Sequence, residues 1–405
     1  MNGVPGVTTR RILLVMPDPP LPFGNAAARW YYVLLKGLVE RGNDVSAFAA
    51  CSDRADVAAA RELFPAPDYK LRVFPYPKRG TGLRSKWETF RQPYSYMFGP
   101  DLKRSLQADL DRGFDILHLE QVWAGWLGLR HVDQALLNVH YLVDIDLAKV
   151  STGNPVAALR RAVTRRAERR ILGHYRTITA LTDRLAARVA TFAPRASVHT
   201  VPLGMDLGFY PRRRIDYAAP GRHPTVSLIG SFNWEPTQSA ARRLLTRLWP
   251  EIVRRVPAAR LQIVGREAES TLREFAGTEA VSIFENVPDI MPYFYDADVM
   301  LYAPTRGSGM KVKVLEAFAL GVPVVTNEDG AEGLPVLDGV HADVTDEDAA
   351  LIDRTVTLLG DPGLRARRAD AARSLVEQHC DPDRVIDILE AVYETVRRER
   401  GAECG

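Results

Sequence analysis

The stretch Val299–Thr326, VMLYAPTRGSGMKVKVLEAFALGVPVVT, holds the pattern from which the architecture follows. Val299 to Tyr302 is a short apolar run of buried-strand type, a glycine-bearing loop follows, an apolar helical segment runs to Gly321, and Val322 to Thr326 reads as another buried strand. Strand, helix and strand in that order make the crossover unit of a parallel sheet. Gly307 and Gly309 let the backbone approach a ligand closely, and the free N–H groups of the turn that opens the helix can bind an anion. Lys311 and Lys313 place two positive charges on that same turn, where the helix dipole disfavours cations unless an anion offsets them. Glu316, five residues after Lys311, is near enough to accept hydrogen bonds from sugar hydroxyls, so the spacing suits a nucleoside diphosphate with its ribose. A glycine turn with solvated lysines is the plain alternative.

Working outward, the same alternation fills the chain and predicts an α/β protein. In the first half the strand candidates are Arg11 to Met16, Asp44 to Ala50, Leu71 to Tyr76, Asp115 to Glu120, Leu136 to Leu142, Thr177 to Leu181 and Val198 to Pro202. A helix from Ala26 to Arg41 stops at Gly42. The second half restarts at Thr225 to Gly230, continues through a helix from about Thr237 to Val256, and gives strands at Arg260 to Gly265, Val281 to Phe284, Val299 to Tyr302 and Val322 to Thr326. Between the halves, Phe209 to Pro224 has no periodicity and reads as a linker. The predicted organisation is two doubly wound domains, 1–208 and 225–380, joined by 209–224 and followed by an amphipathic helix within 381–405. Open parallel sheets bind ligands beyond the carboxyl ends of their strands, so the strand-to-helix loops are where chemistry is expected.

Composition narrows the function. The 405 residues are 46% hydrophobic and 25% charged, which excludes a disordered or fibrous chain. Net charge is +3 from 53 basic and 50 acidic residues, too even for bulk attraction to nucleic acid. Cys51, Cys380 and Cys404 are far apart, which supports neither a disulfide framework nor a cysteine zinc site. The apolar run after Arg10-Arg11 is too short for a signal peptide, and no stretch reaches bilayer-spanning length, so a cytoplasmic protein is expected, with peripheral contact at a membrane surface left open.

The segment Gly307 to Val325 resembles the donor-binding signature of the GT-B glycosyltransferases of family four, in the branch patterned GxGx[RK]xKxLEAxxxGxPVV. Val201 to Asp206, Gly230 to Trp234 and Gly330 to Pro335 resemble further segments of that family, in its order and at its distances. The resemblance implies two Rossmann-like domains facing a central cleft, and transfer of a sugar from a nucleotide diphosphate donor with retention at the anomeric carbon, without a metal or other cofactor. It implies that Lys311 and Lys313 neutralise the diphosphate as the glycosidic bond breaks, and that Glu316 holds the ribose. Gly230, Ser231, Gly307, Ser308, Gly309 and Met310 fall in the donor-binding segments, and Asn286 and Val287 in the loop that contacts the base. One departure stands out: most retaining members carry a further glutamate eight positions before the Glu316 equivalent, against donor-sugar hydroxyls, where this chain has Ser308.

In the first domain the resemblance points to Gly24, in the first strand-to-helix loop, as a donor-phosphate or acceptor contact. It points to His140 as the histidine that approaches the transferred sugar. Glu120, at a strand end, is read as facing the cleft, where it could orient an acceptor hydroxyl or act as a base. The implied acceptor is a saccharide, a natural product or a lipid-linked sugar, and no nucleic-acid partner is implied. A nucleotide-sugar epimerase of the same fold, or a non-catalytic donor-binding subunit of a partner enzyme, would use much of the same machinery. The arginines from Arg160 to Arg176 are expected to form a solvated helix balanced by Glu168 and nearby acids, and the aromatic run Trp87, Phe90, Tyr94, Tyr96 and Phe98 to pack against the core.

Overall fold

Segments that are apolar at consecutive positions, such as Ile12 to Met16 and Leu136 to Val139, leave no face for water and must be covered on both sides. In the computed structural model, which describes residues 9–78, 80, 82–146, 155–212 and 222–403, they are the interiors of two sheets. The first contains β1 (Arg11–Met16), β2 (Asp44–Cys51), β3 (Lys70–Pro75), β4 (Ile116–Glu120), β5 (Ala135–Val139), β6 (Thr177–Ala180) and β7 (Ser197–Thr200), in the order β3-β2-β1-β4-β5-β6-β7. The second contains β8 (Thr225–Ile229), β9 (Arg260–Gly265), β10 (Val281–Glu285), β11 (Val299–Tyr302), β12 (Val324–Thr326) and β13 (Asp343–Val344), in the order β10-β9-β8-β11-β12-β13. Every pairing in both sheets is parallel. Each order reverses direction once, between β1 and β4 and between β8 and β11. At such a switch point adjacent connections leave on opposite faces and open a crevice at the strand ends.

Three differences from the sequence reading stand out, the first two with a local physical cause. Strand β13 has only two residues and pairs Asp343 with Val325, too short to leave a pattern. The helix predicted from Thr237 to Val256 begins at Glu235 and passes through a π-helical turn, Leu244–Leu248, just ahead of Pro250, whose ring nitrogen has no hydrogen to donate. Among the described residues Ile145 and Asp146 cluster with the second unit, 207–379, although the reading placed 1–208 in one domain without interruption. Of the expected linker, 213–221 lies outside the described residues, as does Cys404.

The C-terminal helix, Pro382–Glu403, belongs to the first unit and packs on the helix Ala26–Glu40. Arg10 donates to Glu390 at 2.9 Å and to Glu394 at 2.6 Å, and Arg41 pairs with Asp383, Asp387 and Glu390. At the crossing, Gly37 lies so close that a Cβ there would sit 2.8 Å from Ile386 Cγ1.

Two surface expectations need correction. Of the aromatic run only Phe98 is buried; Trp87 and Phe90 are 61% and 48% exposed and stack on each other with centroids 6.0 Å apart. Arg165, Arg169 and Arg188 converge on the buried carboxylate of Asp144, not on Glu168, whose oxygens accept the Val143 and Asp144 N–H groups. Among the described residues no helix is long and apolar enough to cross a membrane.

The Gly37 contact yields a stability test. Gly37→Val should lower stability by about 1–3 kcal/mol through overpacking, and Ile386→Ala in the same chain should return part of that loss, as read by urea denaturation of the two single variants and the pair.

Candidate functional site

In the second unit the loops after β8, β9, β10 and β11 share the carboxyl edge of the sheet, and the loop Pro304 to Met310 leads from β11 into the helix Val312–Leu320 at the switch point. Lys311 is the N-cap residue of that helix and Lys313 lies in its first turn, so both charges stand at the positive end of the dipole. The helix ends at Gly321 with φ 78°, the left-handed geometry that a glycine adopts without strain.

The two ammonium groups are used differently. Lys311 is buried and folds back on its own loop, its Nζ donating to the carbonyls of Ser308 at 3.0 Å and Gly309 at 2.6 Å. Lys313 is partly exposed; its Nζ donates to Thr237 Oγ1 and lies 4.5 Å from the centre of the Tyr302 ring. Burial, with the Lys311 charge beside it, pushes the Lys313 ammonium down to about 7. The glycines make room for these lysines: a Cβ at Gly230 would meet Lys313 Cε at 2.8 Å, and one at Gly307 would meet Lys311 Cε at 2.9 Å. The sequence reading gave Gly307 to close approach by a ligand.

Around this centre Ser308 donates to Asp146 Oδ1 through both its N–H and its Oγ, each at 2.7 Å, and Gly309 N–H donates to Glu332 Oε1 at 3.3 Å. Met310 is buried, and a Cβ at Gly333 would meet its Cγ at 2.3 Å. Glu316 is buried with Oε1 3.4 Å from the Tyr210 hydroxyl. Ser231 Oγ bonds Asn233 Oδ1 at 2.9 Å. Asn286 follows β10 with φ 52°, its N–H donating to Gly265 O at 3.2 Å, and the half-buried Val287 comes next.

In the first unit β1 leads to the loop containing Gly24, at φ 88°, and Asn25, whose side chain accepts the Ala28 N–H at 2.9 Å and caps the helix Ala26–Glu40. Neighbouring β4 ends at Glu120, and His140 directly follows β5. Glu120 corrects an expectation: it is 0% exposed, so it does not open onto a cleft. Its Oε2 accepts His140 Nε2–H at 2.5 Å, Asn138 Nδ2 reaches both oxygens at 3.1 Å, and Trp30 Nε1–H donates to Oε1 at 3.1 Å. His118 Nε2 stands 2.9 Å from Oε1, and His118 Nδ1 lies 2.6 Å from the Tyr393 hydroxyl on the C-terminal helix. Burial opposes the charge, yet His118 and His140 together hold this carboxyl well below the usual range. Glu120 is therefore an ionised anchor that fixes the ring of His140 through Nε2.

Sequence reasoning missed Asp146, Thr237, Tyr302 and Tyr210, which no motif marks. Asp146 is 162 positions from Ser308, so local spacing carries no trace of the contact.

The family of glycosyl transferases group 1 matches the chain over residues 223–361, and the glycosyl transferase 4-like domain matches it over residues 26–204. The chain is 28% identical over 372 residues to the phosphatidyl-myo-inositol mannosyltransferase of Mycobacterium tuberculosis, covering 88% of this chain and 89% of that one. It is 32% identical over 238 residues to the GDP-mannose-dependent alpha-(1-6)-phosphatidylinositol monomannoside mannosyltransferase of Mycolicibacterium smegmatis, covering 54% of this chain and 60% of that one. Its fold matches Anabaena HepE, solved with UDP and glucose, with TM-score 0.65 and 15% identity over 96% of this chain and 99% of that one.

Lys313 gives a measurable signature of a site held at the expense of stability. Its pKa of about 7 lies below the ordinary lysine value of 10.5, so between those values the unfolded chain binds more protons and stability from this group rises with pH. Lys313→Met should therefore raise the melting temperature by a few degrees, roughly 2–4 °C, below pH 7, and the gain should shrink as pH approaches 10, as followed by calorimetry across that range.

Proposed function

The chain belongs to the GT-B glycosyltransferases of family four, enzymes that transfer a sugar, and from that premise we propose that it moves a hexose from a nucleoside diphosphate donor to an acceptor hydroxyl with retention and without a metal. The observation that carries this reading is Lys313: an ammonium with no carboxylate in ion-pair reach among the described residues, held at the switch point on the first turn of a helix. Such a group lowers its own free energy by meeting an anion, and the gain grows as the bond from C1 to the phosphate oxygen lengthens and negative charge collects on the pyrophosphate. Lys311 acts one step back, holding the carbonyls of Ser308 and Gly309 so that the loop keeps its shape.

On this reading C1 of the hexose parts from the β-phosphate oxygen and bonds to the acceptor oxygen on the same face, while a phosphate oxygen of the leaving nucleotide takes the acceptor's proton. Glu120 takes none, since its oxygens are already engaged. His140, fixed by Glu120, meets the transferred sugar. The GDP-mannose dependence of one mannosyltransferase relative makes GDP-mannose the first donor to try, and a lipid-linked or saccharide acceptor fits relatives that act on phosphatidylinositol and its mannoside. The reading places the enzyme in the cytoplasm, with contact at a membrane surface when the acceptor is lipid-linked.

The test begins with thermal stabilisation by a panel of GDP- and UDP-sugars, since a ligand that binds only the folded state raises the melting temperature. Donor turnover in Lys313→Ala should fall roughly 10²–10³-fold with the circular dichroism spectrum unchanged; wild-type kinetics in this variant would remove the phosphate role. A product of inverted anomeric configuration by NMR, or activity lost on chelation and restored by a divalent ion, would overturn the remaining parts.

Protonation supplies a second check. With a free-state value of about 7, Lys313 is mostly neutral at pH 8, and pyrophosphate favours its charged form. Binding of GDP or UDP at pH 8 should take up a proton, so the calorimetric enthalpy should track the ionisation heat of the buffer, and affinity should weaken as pH rises past 7.

A further inference from the structure

Ser308 stands where the resemblance of this segment to family four implies a glutamate in most retaining members, and a serine hydroxyl can neither extend as far nor bear charge. The carboxylate beside it comes from elsewhere in the second unit. Asp146 Oδ1 accepts both the Ser308 N–H and the Ser308 hydroxyl at 2.7 Å, a two-point grip that fixes the plane of the carboxylate. Asp146 is 4% exposed, and its second oxygen, Oδ2, is buried with no hydrogen-bond partner among the described residues. A buried carboxylate oxygen left without a donor costs free energy of the order that a charged hydrogen bond returns, so such an atom points to an absent donor group.

We propose that Asp146 is the donor-sugar-binding carboxylate of this enzyme, supplied by a distant segment and seated on Ser308, with Oδ2 accepting hydrogen bonds from hydroxyls of the transferred hexose. This deepens the donor-site reading and rests on it. Ser308 is the adaptor: it spends its two donors on holding Oδ1, which turns Oδ2 toward the ligand. Burial pushes Asp146 up to about 6 against the Ser308 bonds and the Lys311 charge, and a polyhydroxyl ligand that replaces the lost hydration would favour its ionised form.

The geometry also admits a simpler role, in which Asp146 only plugs the Ser308 N–H until the pyrophosphate displaces it. The two roles differ in which part of the donor they touch. Binding is measured by calorimetry for wild type, Asp146→Asn, Asp146→Ala and Asp146→Ala/Ser308→Glu, using GDP-mannose against GDP and UDP-glucose against UDP, with melting temperatures as the folding control. For whichever sugar nucleotide wild type prefers, Asp146→Asn should lose roughly 10–100-fold in affinity while the matching nucleoside diphosphate binds as before. The Asp146→Ala/Ser308→Glu pair should recover affinity relative to Asp146→Ala alone, because the carboxylate returns on the other residue. Tighter nucleoside diphosphate binding in Asp146→Asn would establish the plug and overturn the proposal, as would an unchanged preference for the sugar nucleotide. Wild type that binds neither nucleoside diphosphate would instead bring down the donor-site reading itself, and this proposal with it.

Discussion

An ammonium group without a counter-ion at the positive end of a helix dipole is an unfavourable arrangement, and the second unit is organised around one. Thr237 gives Lys313 a single neutral acceptor and Tyr302 an aromatic face, while Gly230 omits the Cβ that would exclude its side chain. Lys311 adds a second positive charge close by and so lowers the proton affinity of Lys313 further. Nothing in local packing compensates fully. The arrangement becomes favourable once an anion arrives, which is why a site of this kind sits at the topological switch point, where the strand order opens a crevice.

The first unit solves the opposite problem. Glu120 is an anion with no access to water, and four side chains, from β4, β5, the position after β5 and the helix Ala26–Glu40, crowd around it to keep it ionised. The arrangement rigidifies His140, because a ring held at 2.5 Å by a fixed carboxylate has little freedom to turn. It also reaches the C-terminal helix through His118 and Tyr393, so that packing of the last helix bears on the setting of His140. Each unit thus has one uncompensated or heavily compensated charge at its switch point.

The corrections share one cause. Glu120 at a strand end looks in sequence like a polar residue aimed into an open cleft; burial turns it into a structural anchor. Lys311 and Lys313 look equivalent two positions apart, yet the helix directs one beneath the loop and the other toward Thr237. Gly307 of the loop was legible as special, but what fills its missing Cβ space is a lysine stem of the same chain.

By itself the sequence determined the alternation of buried strands and helices, the places where helices stop, and the coincidence of glycine, lysine and glutamate around one helix start. These depend on residues within a few positions of one another, where periodicity and backbone preference act directly. The tertiary structure alone decided which ammonium is buried and which is offered, that Glu120 faces inward, and that Asp146 meets Ser308 across 162 positions. Such contacts arise only when the chain closes on itself, because burial, desolvation and hydrogen-bond partnership belong to groups brought together in space.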